Sequence, residues 1–410
     1  MMEVLYAHRH KEVRTRRMSS SLTTPRPVEP TVPLAPPPLP DLLATIPDHR
    51  KARGQRHELP TLLSLGVAAV STGAKSFTAI AEWVNDPTNT AIADLGVDLH
   101  RRPSEATLRR AFNSVDADRL DRALSTWMRT ATAVVAGRRV IAVDGKTVRG
   151  ARTPSDPTST APHLVSALDH ATRTVLGQVQ IATKSNEIPA VRDLLDQFDL
   201  TGTLVTADAM HTQDQTAEHI VSAGGAYLLT VKANRPSLLA WAKSKRWKTV
   251  PTNKVTEHGH GRRVTRSVKV LQVTEQEAGL PHAAQLVQVR RTRTVYPAAC
   301  SGKRPKKSVE VIYLLCSLGH LDAPVQALAA WAQNHWRIEN ALHWVRDVTF
   351  GEDGSRVRTG VGPRVMATLR STVISLLRLD GHTSIAAALR FCGRDPGRAS
   401  LLVTTAHQRL

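Results

Sequence analysis

Between Asp41 and about Gly137 the apolar positions recur at helical spacing. Leu62, Leu63, Leu65 and Val67 lead into Ala68, Ala69 and Val70, and Phe77, Ile80, Ala81 and Val84 trace one face of a second helix. Ser104 is placed to cap a helix carrying Leu108 and Phe112, because a serine oxygen can accept a backbone N–H that a helix start leaves unpaired. Leu120, Leu124 and Trp127 mark a further helix. Residues 41–137 are therefore predicted to be a small helical domain. Before them, residues 1–40 combine basic residues (Arg9, Lys11, Arg14, Arg16, Arg17) with a Pro-rich stretch from Pro25 to Pro40, the composition of an extended, disordered and dispensable tail.

At Arg139 the period changes. Residues 140–143 form a short apolar run that Asp144-Gly145 is expected to end as a turn, and residues 163–168 and 174–181 read as a hairpin. A helix over 187–198, a strand over 203–207 ending at Asp208, a helix over 213–223 and a strand over 227–231 follow. The order β-β-β-α-β-α-β is that of an RNase H-like domain, an α/β fold with helices on the faces of a mixed sheet. Residues 232–307 are basic and irregular, with β-rich pieces at 268–273 and 286–289, and are expected to be a β-rich insertion at about 233–308. A strand over 309–315, a long helix over 324–348 and an apolar helix over 365–379 complete a domain spanning 138–380, and residues 381–410 form a C-terminal segment.

Charge narrows the function. The 410 residues carry 55 Lys+Arg against 35 Asp+Glu, a formal charge of +20. A polyanion is the usual partner of such an excess, because each cation placed near a phosphate releases a counterion. No run of 18 apolar residues and no apolar signal core occur, so neither a membrane span nor a secretory signal is expected. Cys300, Cys316 and Cys392 are too few and too scattered for a disulfide framework or a zinc knuckle and fit a reducing compartment.

Asp144 and Asp208 each follow an apolar strand, which puts two carboxylates at one edge of a sheet, where strand ends gather ligands. For either one alone, a structural turn is the common reading. On a 100° wheel, Trp331, Ile338, Leu342 and Val345 make an apolar stripe, and His335, Glu339, His343 and Arg346 an adjoining polar one. Glu339 then borders the buried face and is the candidate third acid, against the plainer reading of a solvated helix position. Three carboxylates suit Mg²⁺ or Mn²⁺, and two such ions about 3.5–4 Å apart would activate a water or 3′-hydroxyl and stabilise the leaving oxygen. Zinc fits poorly, since His335 and His343 lack the HExxH spacing. Trp336 and Trp344 are read as packing residues, the 303–307 basic run as a solvated loop, and His211 as a possible supporting group behind Asp208.

Seven blocks in fixed order carry a family resemblance: Ile46-Pro47-Asp48-His49-Arg50, Ile141-Ala142-Val143-Asp144-Gly145-Lys146-Thr147, Lys184-Ser185-Asn186-Glu187-Ile188, Thr206-Ala207-Asp208-Ala209-Met210, Tyr227-Leu228 with Val231-Lys232-Ala233-Asn234, His258-Gly259-His260-Gly261-Arg262, and Asn334-His335-Trp336 through Glu339-Asn340 to Leu342-His343-Trp344. From about Leu42 to Arg378 the chain resembles the DDE insertion-sequence transposases of the H-repeat-associated group. The resemblance implies Asp144, Asp208 and Glu339 as catalytic, metal-binding carboxylates. It also implies Mg²⁺ or Mn²⁺ (two ions), cleavage at terminal inverted repeats, strand transfer into target DNA, and a homodimer or larger synaptic complex on the bacterial nucleoid in the cytoplasm.

Lys146, Lys232, Arg262, His335 and Arg346 are the expected DNA contacts, and the helical segment with Arg101, Arg102, Arg109 and Arg110 the expected end-recognition domain. His335 and Arg346 stand where the wider family has Arg and Lys, and Val264 where an acid is expected. The alternatives are a site- or structure-specific nuclease without transfer and a domesticated DNA-binding protein.

Overall fold

The computed structural model describes residues 36–132, 138–153, 155–156, 159–181, 186–259, 261–297 and 304–405. Most of the expected tail, together with Lys184, Ser185, His260, Cys300 and Lys303, lies outside the described residues.

Five helices come first: α1 (Leu39–Ala44), α2 (Leu59–Ser71), α3 (Phe77–Asn85), α4 (Glu105–Ser114) and α5 (Ala117–Thr130). Their starts are written in the sequence. α1 and α2 carry Pro in the first turn, where its missing N–H costs nothing, and the side chains of Ser76, Ser104 and Asp116 cap α3, α4 and α5. α2 is buried on nearly every side, and a Cβ on Gly66 would stand 2.9 Å from the Phe112 ring, so glycine there lets two helices approach.

The strands are β1 (Arg139–Thr147), β2 (His163–Asp169) and β3 (Val175–Gln180), then α6 (Glu187–Leu195), β4 (Thr203–Ala207), α7 (Asp214–Ser222) and β5 (Ala226–Val231). α8 (Pro236–Ser244), β6 (Asn253–Gly259), β7 (Arg262–Gln272), α9 (Glu275–Ala278), β8 (Gln285–Val295) and β9 (Lys306–Cys316) follow. The chain then runs through α10 (Val325–His335), α11 (Gly362–Leu379), α12 (Ile385–Gly393) and α13 (Pro396–Thr405). One nine-stranded sheet results, in the order β3-β2-β1-β4-β5-β9-β8-β7-β6, with β1/β4 and β4/β5 parallel and the other pairs antiparallel.

Two expectations change. The strands of residues 233–308 extend the main sheet, because the apolar end of β9 (Tyr313, Leu314, Leu315, Cys316) pairs with β5 and covers what would otherwise be an open edge. Secondly, Asp144-Gly145 does not turn: β1 continues to Thr147. A Cβ on Gly145 would lie 2.5 Å from His163 Nε2 and 2.6 Å from Glu187 Cδ, so this glycine serves close approach rather than reversal of the chain.

Strand alternation divides the core. Ile141, Val143, Val205, Ala207 and Leu229 join the larger cluster, which also takes in α6, α7 and the helices from both ends of the chain. Val140, Leu204 and Leu228 face the other way, against Leu328 and Ala332 of α10. The N-terminal helices share their core with the last ones: α2 packs on α11, α12 and α13, and Ser400 Oγ donates to the Ala91 carbonyl at 2.7 Å. Among the described residues no helix is long and apolar enough to cross a membrane.

The boundary of the expected tail also moves. Pro36 and Leu39 are buried, and Trp127 Nε1 donates to the Pro37 carbonyl at 2.6 Å, so residues 36–40 belong to the folded unit. Leu39 is 0% exposed and meets the core, whereas Leu42 is only partly buried. Leu39→Ala is accordingly expected to lower unfolding free energy by about 2–5 kcal/mol, and Leu42→Ala by less, when both are measured by urea titration.

Candidate active site

The parallel ladder between β1 and β4 ends at Val143↔Ala207. Asp144 and Asp208 are the next residues on the two strands, so the ladder sets them side by side. Alternation turns Asp144 and Lys146 toward the same face as Val140, the face that α10 crosses. Asp144 Oδ1 accepts the Gly145 N–H at 2.9 Å, and its Oδ2 lies 3.3 Å from His343 Nε2. Asp208 Oδ1 lies 3.6 Å from both His335 Nε2 and Lys232 Nζ. His335, acting against burial and helped by Lys232, holds this carboxyl below its ordinary pKa.

After α10 the backbone widens into two π-helical turns, Glu339–His343 and Val345–Thr349, a departure from α geometry that recurs at functional sites. The 100° wheel therefore fails here. His335, His343 and Arg346, expected on a polar stripe, are buried with Ile338, Leu342 and Val345, while Glu339 is exposed. Trp336 and Trp344, expected to pack, are 38% and 53% exposed. The helix nevertheless aims Glu339 at the strand end: single ligand atoms of Asp144, Glu339 and His343 lie within 4.8 Å of one another. Asp208 stands outside that trio, beside His335.

Of the expected DNA contacts, Lys232 is half exposed and Arg262 is exposed at the β6–β7 hairpin. Three others are internal. Lys146 is buried with its Nζ 2.6 Å from Asp347 and 3.8 Å from Asp353. His335 Nδ1 and Thr206 Oγ1 share a hydrogen bond of 3.0 Å, which ties the end of α10 to β4. Arg346, 0% exposed, donates to Glu352 Oε1 at 2.7 Å, and Arg370 donates to Glu352 Oε2 at 3.0 Å. Burial pushes Glu352 up, but Arg346 and Arg370 overcome it and leave the carboxyl below its ordinary pKa. Of the expected recognition arginines, Arg102 Nη1 is occupied by the Val84 and Asp86 carbonyls, both at 2.7 Å.

His211, read from the sequence as supporting Asp208, stands instead against Glu187 in a second cluster whose other members the sequence did not reveal as partners. Glu187 lies 2.8 Å from His163 Nε2 and 3.5 Å from His211 Nε2, and Thr147 Oγ1 and His163 Nδ1 are 2.8 Å apart. This cluster backs the Asp144-Gly145 step, as the missing room for a Gly145 Cβ indicates. His163 first, then His211, hold Glu187 down to about 2 against burial. The available signal was Glu187 at the head of a helix with Asn186 as its cap; its partners are distant in sequence.

Two outcomes follow. Glu352→Gln leaves two buried guanidiniums without their carboxylate and is expected to cost about 3–5 kcal/mol in chemical unfolding. Because the folded-state pKa of Glu187 is depressed, its contribution is present above pH 4.5 and lost as pH falls toward 2. The stability gap between wild type and Glu187→Gln should therefore close over that window in urea unfolding at stepped pH.

The family described as Transposase DDE domain matches residues 136–376, and the family described as DDE_Tnp_1-associated matches residues 41–128. "Putative transposase YncI" of Escherichia coli O157:H7 is 30% identical over 351 residues, covering 82% of this chain and 86% of that protein. "H repeat-associated putative transposase YhhI" of Escherichia coli K12 is 27% identical over 345 residues, covering 82% and 89%. A piggyBac transposase, solved as a synaptic complex with hairpin DNA, aligns over 91% of this chain and 77% of its own at TM-score 0.40 and 10% identity, too slight a likeness to carry an argument. With more than half its length matched, the chain belongs to the DDE transposase family and is a DNA transposase.

Proposed function

We propose that this transposase cuts DNA at the terminal inverted repeats of an insertion sequence and joins the freed ends to target DNA, with Asp144, Asp208 and Glu339 as its catalytic carboxylates. The observation that carries the reading is the β1–β4 ladder, which ends one residue before both aspartates, beneath the helix that delivers Glu339. The strand order and crossing helix support an RNase H-like core over residues 138–380, interrupted by the β insertion at about 233–308. Residues 41–137 are then read as the domain that selects element ends.

The donor set fits a divalent ion. Ligand atoms of Asp144 and Glu339 lie within 4.8 Å of each other, Asp208 follows the neighbouring rung of the ladder, and among the described residues the one lysine or arginine paired with these acids is Lys232, 3.6 Å from Asp208. Asp144, Asp208 and Glu339 would hold Mg²⁺ or Mn²⁺, and two bound ions would activate the attacking oxygen and stabilise the leaving one in an in-line displacement at phosphorus.

The remaining work falls to the chain. Thr206 and His335 fix the approach to Asp208, and the Glu187 cluster fixes the backbone that presents Asp144. Lys232, half exposed beside Asp208, is the cation best placed to meet the scissile phosphate. Arg262 and its neighbours on β7 and β8 supply sequence-independent attraction to the duplex. Two element ends must be joined together, so a homodimer or larger synapse on the bacterial chromosome is part of this reading.

Asp144→Asn, Asp208→Asn and Glu339→Gln should each cut cleavage and strand transfer of an end-bearing duplex in Mg²⁺ by roughly a thousandfold or more, about 4 kcal/mol of transition-state stabilisation. Binding to that duplex without metal should persist, and Asp193→Asn, an exposed acid on α6, should match wild type in both assays. Full cleavage by Glu339→Gln would remove this helix from the chemistry. Nicked products that never join target DNA would make the protein a nuclease.

A further inference from the structure

We propose that His343 is an inner ligand of the divalent ion held between Asp144 and Glu339, so that this ion has a nitrogen in its protein shell. The inference rests on the carboxylate reading above and departs from the oxygen-only shell that three acids imply. Its basis is geometric. One atom from each of Asp144, Glu339 and His343 lies within 4.8 Å of the others, and His343 Nε2 is 3.3 Å from Asp144 Oδ2. An octahedral ion with bonds of about 2.1 Å sets adjacent ligand atoms about 3 Å apart and opposite ones about 4.2 Å apart. The 3.3 Å between Asp144 and His343 is close to that of adjacent ligands on one ion, and Glu339 lies within 4.8 Å of both.

The second observation is that His343 is uncommitted. It is 3% exposed, yet neither ring nitrogen has a hydrogen-bond partner among the described residues. A buried polar atom in that state costs about 1–3 kcal/mol unless something else meets it. The 3.3 Å approach to Asp144 Oδ2 lacks hydrogen-bond geometry. His335, two turns earlier, differs: its Nδ1 is engaged by Thr206. Glu339 and His343 occupy the two ends of one π-helical turn, so a single local distortion of the helix turns both toward Asp144.

An imidazole makes the shell less hard. Magnesium favours carboxylate and water, whereas binding of nitrogen strengthens along the series from Mn²⁺ to Co²⁺. The site should therefore prefer Mn²⁺ over Mg²⁺ more strongly than an all-carboxylate site would, and that excess should depend on residue 343.

The test uses the full-length protein with one equivalent of Mn²⁺ and needs no catalysis. Electron spin-echo spectroscopy should show ¹⁴N coupling to the ion in wild type, replaced by ¹⁵N coupling when only histidine is ¹⁵N-labelled, which requires no mutation. His343→Gln should abolish the coupling and weaken Mn²⁺ binding at least tenfold by calorimetry, with a smaller effect on Mg²⁺. Absence of nitrogen coupling in wild type overturns the inference. So does coupling that survives in His343→Gln and vanishes in His335→Gln, which would move the nitrogen to the Asp208 side. If Asp144→Asn and Glu339→Gln lose Mn²⁺ while His343→Gln keeps it, the carboxylate reading stands and the histidine ligand falls. If neither acid variant changes Mn²⁺ affinity, the carboxylate reading fails as well.

Discussion

The register of one parallel strand pair fixes the site. Val143 and Ala207 form the last rung between β1 and β4, and the residue after each is an aspartate. A slip of one residue would send Asp144 to the opposite face, among Ile141 and Val143 in the larger core, and away from the helix that carries Glu339. Register is held because both faces of these strands are buried: Val140 and Leu204 lie under α10, and Ile141 and Val205 lie against the other helices. The apolar packing that makes the sheet stable is therefore the same packing that aligns the carboxylates.

The helix above the strands is held by charge as much as by packing. Arg346, Glu352 and Arg370 form a fully buried ion triad, and Arg370 Nη2 also donates to the Lys75 carbonyl at 3.1 Å, joining the segment that carries Glu339 to α11 and the N-terminal helices. A similar lock joins α5 to α11, where Arg364 binds Asp121 and Asp118, each at 2.7 Å. Breaking such a pair on one side strands a charge in a low-dielectric interior, so these locks constrain arrangement more than they add net stability. They also mean that a chain with an excess of +20 places several of its cations inside, away from any nucleic acid.

Much of the fold was legible because its strands have a buried side. The hairpin of β2 and β3, the strands β4 and β5 and the helices α6 and α7 appear within a few residues of where apolar periodicity put them. β6 was not legible, since six of its seven residues are exposed and its position comes from pairing with β7 rather than from any apolar pattern. Glu352 was missed for a different reason. Its partners lie six residues before it and eighteen after it, beyond the reach of helical periodicity. The wheel put His343 and Arg346 on a polar stripe, but the π-helical turns and the interior partners that only the tertiary structure supplies bury both. Gly145 reads as a turn signal in any single sequence; the pressure of His163 and Glu187 on its missing Cβ is invisible there.

His335 and Arg346 occupy the positions at which the wider transposase family has Arg and Lys, and both proved to be internal. His335 ties the end of α10 to Thr206 of β4, while Arg346 ties the second π-helical turn to Glu352. Between these two anchors lies the wide turn from Glu339 to His343, in which backbone geometry is least like an α-helix. A long helix held only by packing could slide along the sheet by a fraction of a turn. Here residue 335 is tied to the sheet through Thr206 and residue 346 to α11 through Glu352 and Arg370, so sliding would break a buried hydrogen bond or a buried ion pair. The first π-helical turn lies between these anchors and brings Glu339 and His343 near Asp144, and the second, Val345–Thr349, runs on past Arg346. The two polar positions are therefore structural ties of the helix, and Trp336, Asn340 and Trp344 are the residues it leaves exposed.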